Sequence, residues 1–335
     1  MREVTVFGLD VAKNVFEVVG LGRREQVVVS RRLRRKQLLD WFDRQPRVVV
    51  GLEACPGSHY WAKSLREMGF PVKMIAAQHA KALRPGHQKN DARDAVAIAR
   101  ATRSDQVPGV AVKSEDQLQM QALFRFREQR MKHWIALGNQ VRMQLLEFGV
   151  ALPKSDKALR NGVEEALESG QLPEMFATHL RHVMEEWRRV KQDIAGLDRE
   201  LKRLARANDL CVRLMEEPGI GALTAIYAVG VIGGPQHCKN GRQFAARAGL
   251  VPRQSNSGDR TQLGSITKAG DGTFRTLVVH GSRSVLTTYR GDSPLAAWGR
   301  EVAARRGFNK ACVAVANRMA RQMWAIMNRH VATAG

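Results

Sequence analysis

Between residues 174 and 204, apolar side chains return at alternating steps of four and three: Phe176, Leu180, Val183, Trp187, Val190, Ile194, Leu197, Leu201 and Leu204. Charged residues fill the gaps. A 4-3 repeat held over about four heptads is the a/d seam of a coiled coil, and it commits the middle of the chain to long helices. The stretch 115–149 has related spacing at Trp134, Val141, Leu145 and Phe148, so it offers an antiparallel partner. The repeat does not say whether the seam closes within one chain or between two.

The first hundred residues follow a strand period instead. Residues 3–9, 15–20 and 25–30 are short runs rich in Val and Phe, separated by Lys13-Asn14 and by Gly20-Leu21-Gly22-Arg23. This is the pattern of a three-stranded antiparallel meander. An amphipathic stretch at 33–43, a strand at 47–52, a helix near 57–68 and a strand around 71–76 come next. A last helix starts at Asn90, a good N-cap, and runs through DARDAVAIARA to about 103. Three strands followed by alternating helix and strand is the order of an α/β domain of the ribonuclease H type. Beyond Pro108 the helical region takes over, and from 211 the chain changes again to shorter helices and glycine-containing turns.

Charge narrows the function. The 335 residues carry 54 Lys plus Arg against 32 Asp plus Glu, a formal net charge of +22. A surplus on this scale calls for a polyanion, because an acidic small substrate needs only a local patch. Nucleic acid is the expected partner. The 44% hydrophobic content is that of a globular chain, not of a disordered basic tail. No apolar run approaches the roughly 18 residues that span a bilayer, and Asp10 falls where a signal peptide would be apolar. The expected setting is therefore soluble and cytoplasmic, with no membrane partner. Cys55, Cys211, Cys238 and Cys312 lie far apart with no CxxC pair, so buried reduced thiols are expected rather than a zinc ribbon or a disulfide framework.

Four carboxylates stand where chemistry would need them. Asp10 ends the first strand in FGLDVAK, and Glu53 ends the fourth in VVVGLEACPG. Asp91 and Asp94 are three apart at a helix start and so share one face. Hard oxygen ligands from neighbouring strand ends, joined by an acidic pair on a helix, are what two Mg²⁺ ions about 4 Å apart need to bracket a scissile phosphate. Each acid alone reads equally well as a turn former or a helix-dipole partner. Their joint placement in a strongly basic chain favours metal.

The last region has two further features. Glu217-Pro218-Gly219-Ile220-Gly221 precedes the small apolar ALTAIYAVG, a turn of the helix-hairpin-helix kind in which Gly219 and Gly221 would let backbone N–H groups approach a phosphate. Further on, Gly249-Leu250-Val251-Pro252-Arg253-Gln254-Ser255-Asn256-Ser257-Gly258 is a polar loop between helices. A second glycine-rich stretch, 264–272, follows it, and then a helix bearing Arg275, His280 and Arg283. Such a loop among cations suits a phosphodiester under attack by a hydroxyl. No partner with recognisable triad spacing identifies the base.

Taken together, FGLDVAKNVFEV, GLEACPGSHYW and KNDARDAVAIA resemble the DEDD RuvC-like domain of the 110/1111 group of bacterial insertion-sequence transposases, relatives of the Piv invertase. PGIGALTAIYAVG, RQFAARAGLVPRQSNSG and ITKAGDGTFR resemble the C-terminal transposase domain of the same group. Thr267 stands where many relatives have Ser. The resemblance implies a RuvC-like domain at 1–108, a helical coiled-coil dimerisation region at 109–208, and a mainly helical C-terminal domain at 209–335. It implies a site-specific recombinase in which Asp10, Glu53, Asp91 and Asp94 bind Mg²⁺. Ser257 would attack DNA, with Ser255 and Ser265 as nearby alternatives, and Gly219, Gly221, Arg253, Lys268 and Arg275 would contact nucleic acid. It also implies donor and target DNA, an element-encoded guide RNA, dimers of dimers and a nucleoid-associated life. The alternative is a Mg²⁺-dependent nuclease of the Holliday-junction-resolving kind.

Overall fold

The computed structural model describes residues 3–83, 91–236, 238–257 and 260–334. The chain forms two compact units: residues 1–114 with 233–240, and residues 115–232 with 241–335.

The first unit is built on a mixed six-stranded sheet ordered β3-β2-β1-β4-β5-β6. Its strands are β1 (Val6–Asp10), β2 (Val15–Leu21), β3 (Val27–Arg34), β4 (Val49–Glu53), β5 (Val72–Ile75) and β6 (Gly109–Val110). β1 to β3 form the expected meander, β4 runs parallel to β1, and β5 runs parallel to β4. The sequence pattern misses the two-residue β6, which adds antiparallel to β5 and is too short to show a period. Four helices join these strands: α1 (Leu38–Asp43), α2 (Ser58–Glu67), α3 (Ala77–Ala82) and α4 (Asp91–Arg103). α1 starts later than the amphipathic pattern suggests, because β3 continues to Arg34 and a 3₁₀ turn occupies Arg35–Gln37. Asn90, the expected N-cap of α4, lies outside the described residues.

Alternation along β1 divides the core in two. Phe7 and Leu9 join Phe16, Val18, Val50 and Leu52 under Leu38, Phe42, Trp61 and Leu65 of α1 and α2. Val6, Val19 and Leu21 pack against Ala95 and Ala99 of α4 on the opposite face. α4 lies so close that a Cβ at Gly8 would run into the Ala95 carbonyl, and one at Gly51 into Thr102. Its C-terminal end is anchored beyond the start of β1, where Arg103 Nη1 donates to Gly22 O at 3.0 Å and Arg100 pairs with Glu25 at 3.3 Å. The N-terminal end of α4 therefore lies at the end of the sheet where β1 and β4 finish.

The second unit opens with α5 (Glu115–Glu147), α6 (Asp156–Glu168) and α7 (Glu174–Arg206). The heptad seam is filled from within the chain. Leu137, Val141 and Leu145 of α5 pack with Leu180, Met184, Trp187, Val190 and Ile194 of α7, and α6 adds Leu159, Val163 and Ala166. The polar side-chain contacts run in opposite directions along the two long helices: Arg127 to Asp198, Arg130 to Asp193, and His133 to Glu186. The helices are therefore antiparallel. Four 4-3 positions, Phe176, Val183, Leu197 and Leu204, are only half-buried, whereas Met184 and Ala205 are buried. A third helix widens the covered stripe beyond a two-stranded seam.

The remainder comprises α8 (Asp209–Met215), α9 (Ala222–Ile226), a π-helical turn at Tyr227–Ile232, α10 (Gly241–Arg247), a hairpin of β7 (Pro252–Ser257) and β8 (Arg260–Ile266), and α11 (Gly272–Thr287), α12 (Pro294–Arg306) and α13 (Phe308–Ala334). None of the four cysteines is in a disulfide; Cys211 and Cys312 are buried, whereas Cys55 and Cys238 are partly exposed. Among the described residues, no helix is long and apolar enough to cross a membrane.

Val190 is 3% exposed in the α5–α7 seam. Val190→Asp, which buries an unpaired charge and deletes packing, should cost about 3–5 kcal/mol in urea unfolding. A loss below about 1 kcal/mol would show that the seam tolerates water.

Candidate functional site

The row of paired residues that ends β1 carries the first cluster. Asp10 pairs with Glu17 of β2, which pairs with Arg32 of β3 and forms an ion pair with it at 3.4 Å. The parallel register of β1 and β4 pairs Leu9 with Leu52, so Asp10 and Glu53 follow side by side on the face that α4 covers. Asp94, in the first turns of α4, is 8% exposed and lies over that end of the sheet. Asp91 is the first residue of α4, and its side chain is outside the described residues.

The electrostatics agree with a gathering of negative charge. Burial pushes the Cys55 thiol up from its ordinary pKa, and Glu53 and then Asp10 push it further by opposing a thiolate beside them. Among the described residues, no three His, Cys, Asp or Glu side chains already form a closed metal-binding group. The donor chemistry nonetheless suits a hard divalent cation, because carboxylate oxygens on two strand ends and a helix are the ligands such an ion takes. Asp10, Glu53 and Asp94 are the described residues that would hold it.

The second cluster differs from its sequence pattern. The stretch expected as a polar loop is a two-stranded antiparallel hairpin, with Pro252 opposite Ile266, Ser255 opposite Gln262 and Ser257 opposite Arg260. Arg253-Gln254-Ser255-Asn256-Ser257 shows no apolar alternation, and among the described residues the hairpin has no buried side chain to mark a face: Pro252 to Ser255 and Gln262 to Ser265 are exposed. Ser257 is the last residue of β7, and its side chain is outside the described residues. Ser255 and Ser265 are exposed further down the hairpin.

What the sequence did not reveal is how firmly the base of this hairpin is held. Thr267 N donates to Val251 O, Lys268 N to Gly249 O and Asp271 N to Arg247 O, at 2.8, 3.1 and 2.8 Å. Arg275 Nη1 donates to Ala248 O at 2.8 Å and to Lys268 O at 3.1 Å, bridging the two sides. Arg275, expected as a nucleic-acid contact, places its Nη1 on these two carbonyls. Lys268 is exposed and has φ +53°, which is uncommon for a residue with a side chain. Asp271 caps α11 through Phe274 N at 2.9 Å and accepts the Tyr227 hydroxyl on both carboxylate oxygens, each at 2.9 Å. Burial, and then Asp271, push the Tyr227 phenol well above its usual pKa. Tyr227 opens the π-helical turn, a rare local geometry, and Gln117 Nε2 donates to the Val229 carbonyl at 3.1 Å within it. The π turn is the one signal that marks this network, and it has no sequence signature.

The PGIG turn joins α8 to α9. Gly219 has φ +82°, and a Cβ there would sit 2.6 Å from Gly281 O of α11. The left-handed φ and the close approach of the turn to α11 account for this glycine. Gly221 is exposed, with nothing within 4 Å of a Cβ. Arg253 is likewise exposed on β7.

Two family models match the chain: a DEDD-type IS110 transposase model over residues 7–149, and one described as transposase IS116/IS110/IS902 family over residues 211–295. The chain is 38% identical over 326 residues to a probable family 20 transposase of Pseudomonas aeruginosa, covering 96% of each chain. It is 33% identical to the transposase for insertion sequence element IS1111A of Coxiella burnetii, covering 98% of this chain and 91% of that one. It is 30% identical to the transposase for insertion sequence element IS1328 of Yersinia enterocolitica, covering 97% of each.

Tyr227→Phe removes the hydroxyl and leaves the ring. Stability should fall by about 1.5–3 kcal/mol, the range of a hydrogen bond to a charged group. The raised phenol pKa also sets a sign. Above about pH 10 the unfolded tyrosine ionises and the folded one does not, so this contribution is complete below that pH and declines by up to about 1.4 kcal/mol per pH unit above it. Urea unfolding of both proteins at pH 8 and pH 11 checks it: the gap between them should narrow at the higher pH.

Proposed function

The chain belongs to the IS116/IS110/IS902 transposase family, and from that premise we propose that it cuts and rejoins element and target DNA through Ser257, assisted by a Mg²⁺ site at Asp10, Glu53, Asp91 and Asp94. The family is one of DNA-cutting and DNA-joining enzymes. What supports the metal reading is that Asp10 and Glu53 stand side by side at the ends of β1 and β4, on the face that α4 covers, with Asp94 buried in the first turns of that helix. We read the first unit as RuvC-like on the same grounds, a meander followed by parallel strands with the acids at the strand ends.

The exchange needs no external energy source. Ser257 Oγ bonds to phosphorus while the bond from phosphorus to one strand oxygen breaks. The proton lost by serine is balanced by the proton gained on the departing strand. A hydroxyl of a second strand then attacks the phosphoserine, restores the serine and rejoins the DNA. A divalent cation held by the carboxylates would supply charge neutralisation at the phosphate. The chain's own share is to carry Ser257 as the last residue of β7, on a hairpin whose base is tied by the hydrogen bonds of Arg275 and Asp271. Arg253 and Lys268, both exposed on this hairpin or at its base, are the cations we assign to the DNA backbone, with Gly221 as an open backbone contact.

We assign sequence choice to a guide RNA that pairs with donor and target DNA. The support is the resemblance together with a charge of +22, more than one duplex requires. Assembly into dimers of dimers, also implied by the resemblance, would use surfaces other than the α7 stripe, which α5 and α6 already cover.

Two experiments test this reading. Asp10→Ala, Glu53→Ala or Asp94→Ala should abolish recombination while nucleic-acid binding stays within a few-fold, since each removes a ligand and no positive charge; recombination near the wild-type rate in Asp10→Ala would refute the metal site. Ser257→Ala should give no protein-linked DNA band on denaturing electrophoresis with guide RNA and Mg²⁺. A band that persists in Ser257→Ala and vanishes in Ser255→Ala or Ser265→Ala would move the nucleophile. No band in any version, with cleavage intact, would establish the resolving-nuclease alternative.

A further inference from the structure

The edge of the sheet beside the carboxylates is unusually basic. Arg31, Arg32, Arg34, Arg35 and Lys36 fall within six residues at the end of β3 and the turn after it, and all five are exposed. β3 is an edge strand, and charge on an edge blocks pairing with another sheet. That role does not require five cations. Only Arg32 among them has a carboxylate partner in the described residues.

Their position is specific. Val15 pairs with Arg34, Arg35 N donates to Asn14 O at 2.9 Å, and Arg35 Nη1 donates to Lys13 O at 3.3 Å. The end of β3 is thus tied to the turn that follows Asp10, and it adds exposed Lys13 to the group. The register puts Arg32 and Arg34 on the sheet face of Asp10 and Glu17, while Arg35 lies over the other face.

There Arg35 meets aromatics. Its guanidinium lies 4.9 Å from the centre of the Trp61 ring and 5.8 Å from that of Tyr60, in the helix that follows Glu53. Trp61 is 3% exposed and anchored against Phe16, its ring edge-on to Tyr60 at 4.9 Å. Tyr60 is 56% exposed. A buried tryptophan and an arginine thus brace a phenol ring that faces solvent beside a row of exposed cations.

We propose that Lys13, Arg34, Lys36 and Tyr60 form a track for one unpaired polynucleotide strand, with phosphates on the cations and a base stacked on Tyr60, leading to the Asp10 and Glu53 end of the sheet. It rests on the reading that this unit acts on nucleic acid. Stacking on an aromatic ring needs an exposed base face, which a duplex does not offer, whereas cations alone would not distinguish the two. DNA and RNA share this chemistry.

The test uses the full chain in EDTA, with fluorescence anisotropy on labelled unpaired DNA and RNA of about 12 nucleotides, a length within known single-strand site sizes, and on a duplex. Tyr60→Ala should weaken binding of an unpaired strand about 5- to 150-fold, the equivalent of about 1–3 kcal/mol per stacked base, and change the duplex by less than about twofold. The Arg34→Ala/Lys36→Ala double variant should lower the single-strand salt slope by about 1.4, at about 0.7 per phosphate. A loss confined to DNA assigns the track to a DNA strand, one confined to RNA assigns it to an RNA strand, and a loss on both assigns it to either backbone; all three support it. Tyr60→Ala within about twofold of wild type on both unpaired strands, with an unchanged melting temperature, would overturn it whatever the salt slope. An equal loss on the duplex would overturn it too. Because no metal or reaction is involved, the track can fail while Asp10→Ala still abolishes recombination, and it can hold if Asp10→Ala recombines.

Discussion

The first unit depends on how closely α4 lies on the sheet. Gly8 and Gly51 present no Cβ to the helix, and any side chain at either position would strike Ala95 or Thr102. The small residues Ala95 and Ala99 complete the contact from the helix side. This approach holds Asp94 almost out of solvent at the end of the sheet where Asp10 and Glu53 stand. A helix one side-chain layer further out would leave three separate surface acids, each solvated and none obliged to share a site. Cys55 registers the negative charge of two of them, Glu53 and Asp10. The acids are held in place by apolar packing elsewhere on the same helix and sheet.

In the second unit the order is reversed, and polar contacts hold the exposed element. The β7–β8 hairpin buries little of its own surface, and an isolated two-stranded hairpin is marginal in water. Its base is fixed by backbone hydrogen bonds, by the Arg275 bridge, and by Asp271, which caps α11 and takes the Tyr227 hydroxyl. Thr273 of α11 in turn donates to Glu128 of α5, at 3.1 Å, and Glu128 pairs with Arg125 at 2.8 Å. Half-buried networks of this kind resist partial loosening, since each member left alone carries a desolvation cost.

The long helices show how one pattern can be read correctly and its partner missed. Phe176 to Leu204 announces a stripe, and α7 has that stripe. The same residues say nothing about what covers it, because a knob of Leu180 or Val190 fits any complementary hole. Gly138 and α6 are part of the answer. A Cβ at Gly138 would lie 3.1 Å from Trp187 Nε1, so the glycine lets the indole seat against α5, while Leu159 and Val163 close the remaining side.

The sequence by itself determined the elements whose signal is local: the meander, the strand ends bearing Asp10 and Glu53, the helix opening at Asp91, the long amphipathic helices and the basic charge. It also carried the family through motifs spread over the chain. Tertiary structure alone decided which of these come together. Which end of the sheet Asp94 lies over depends on a helix direction set by Arg100 and Arg103 at its far end. Whether Arg275 can bridge two carbonyls depends on where Ala248 and Lys268 lie in space. That PRQSNS is a strand depends on a partner with no more pattern than its own. Periodicity records which face of an element is buried; the identity of the neighbour rests on contacts between residues far apart in the chain, and no local spacing encodes them.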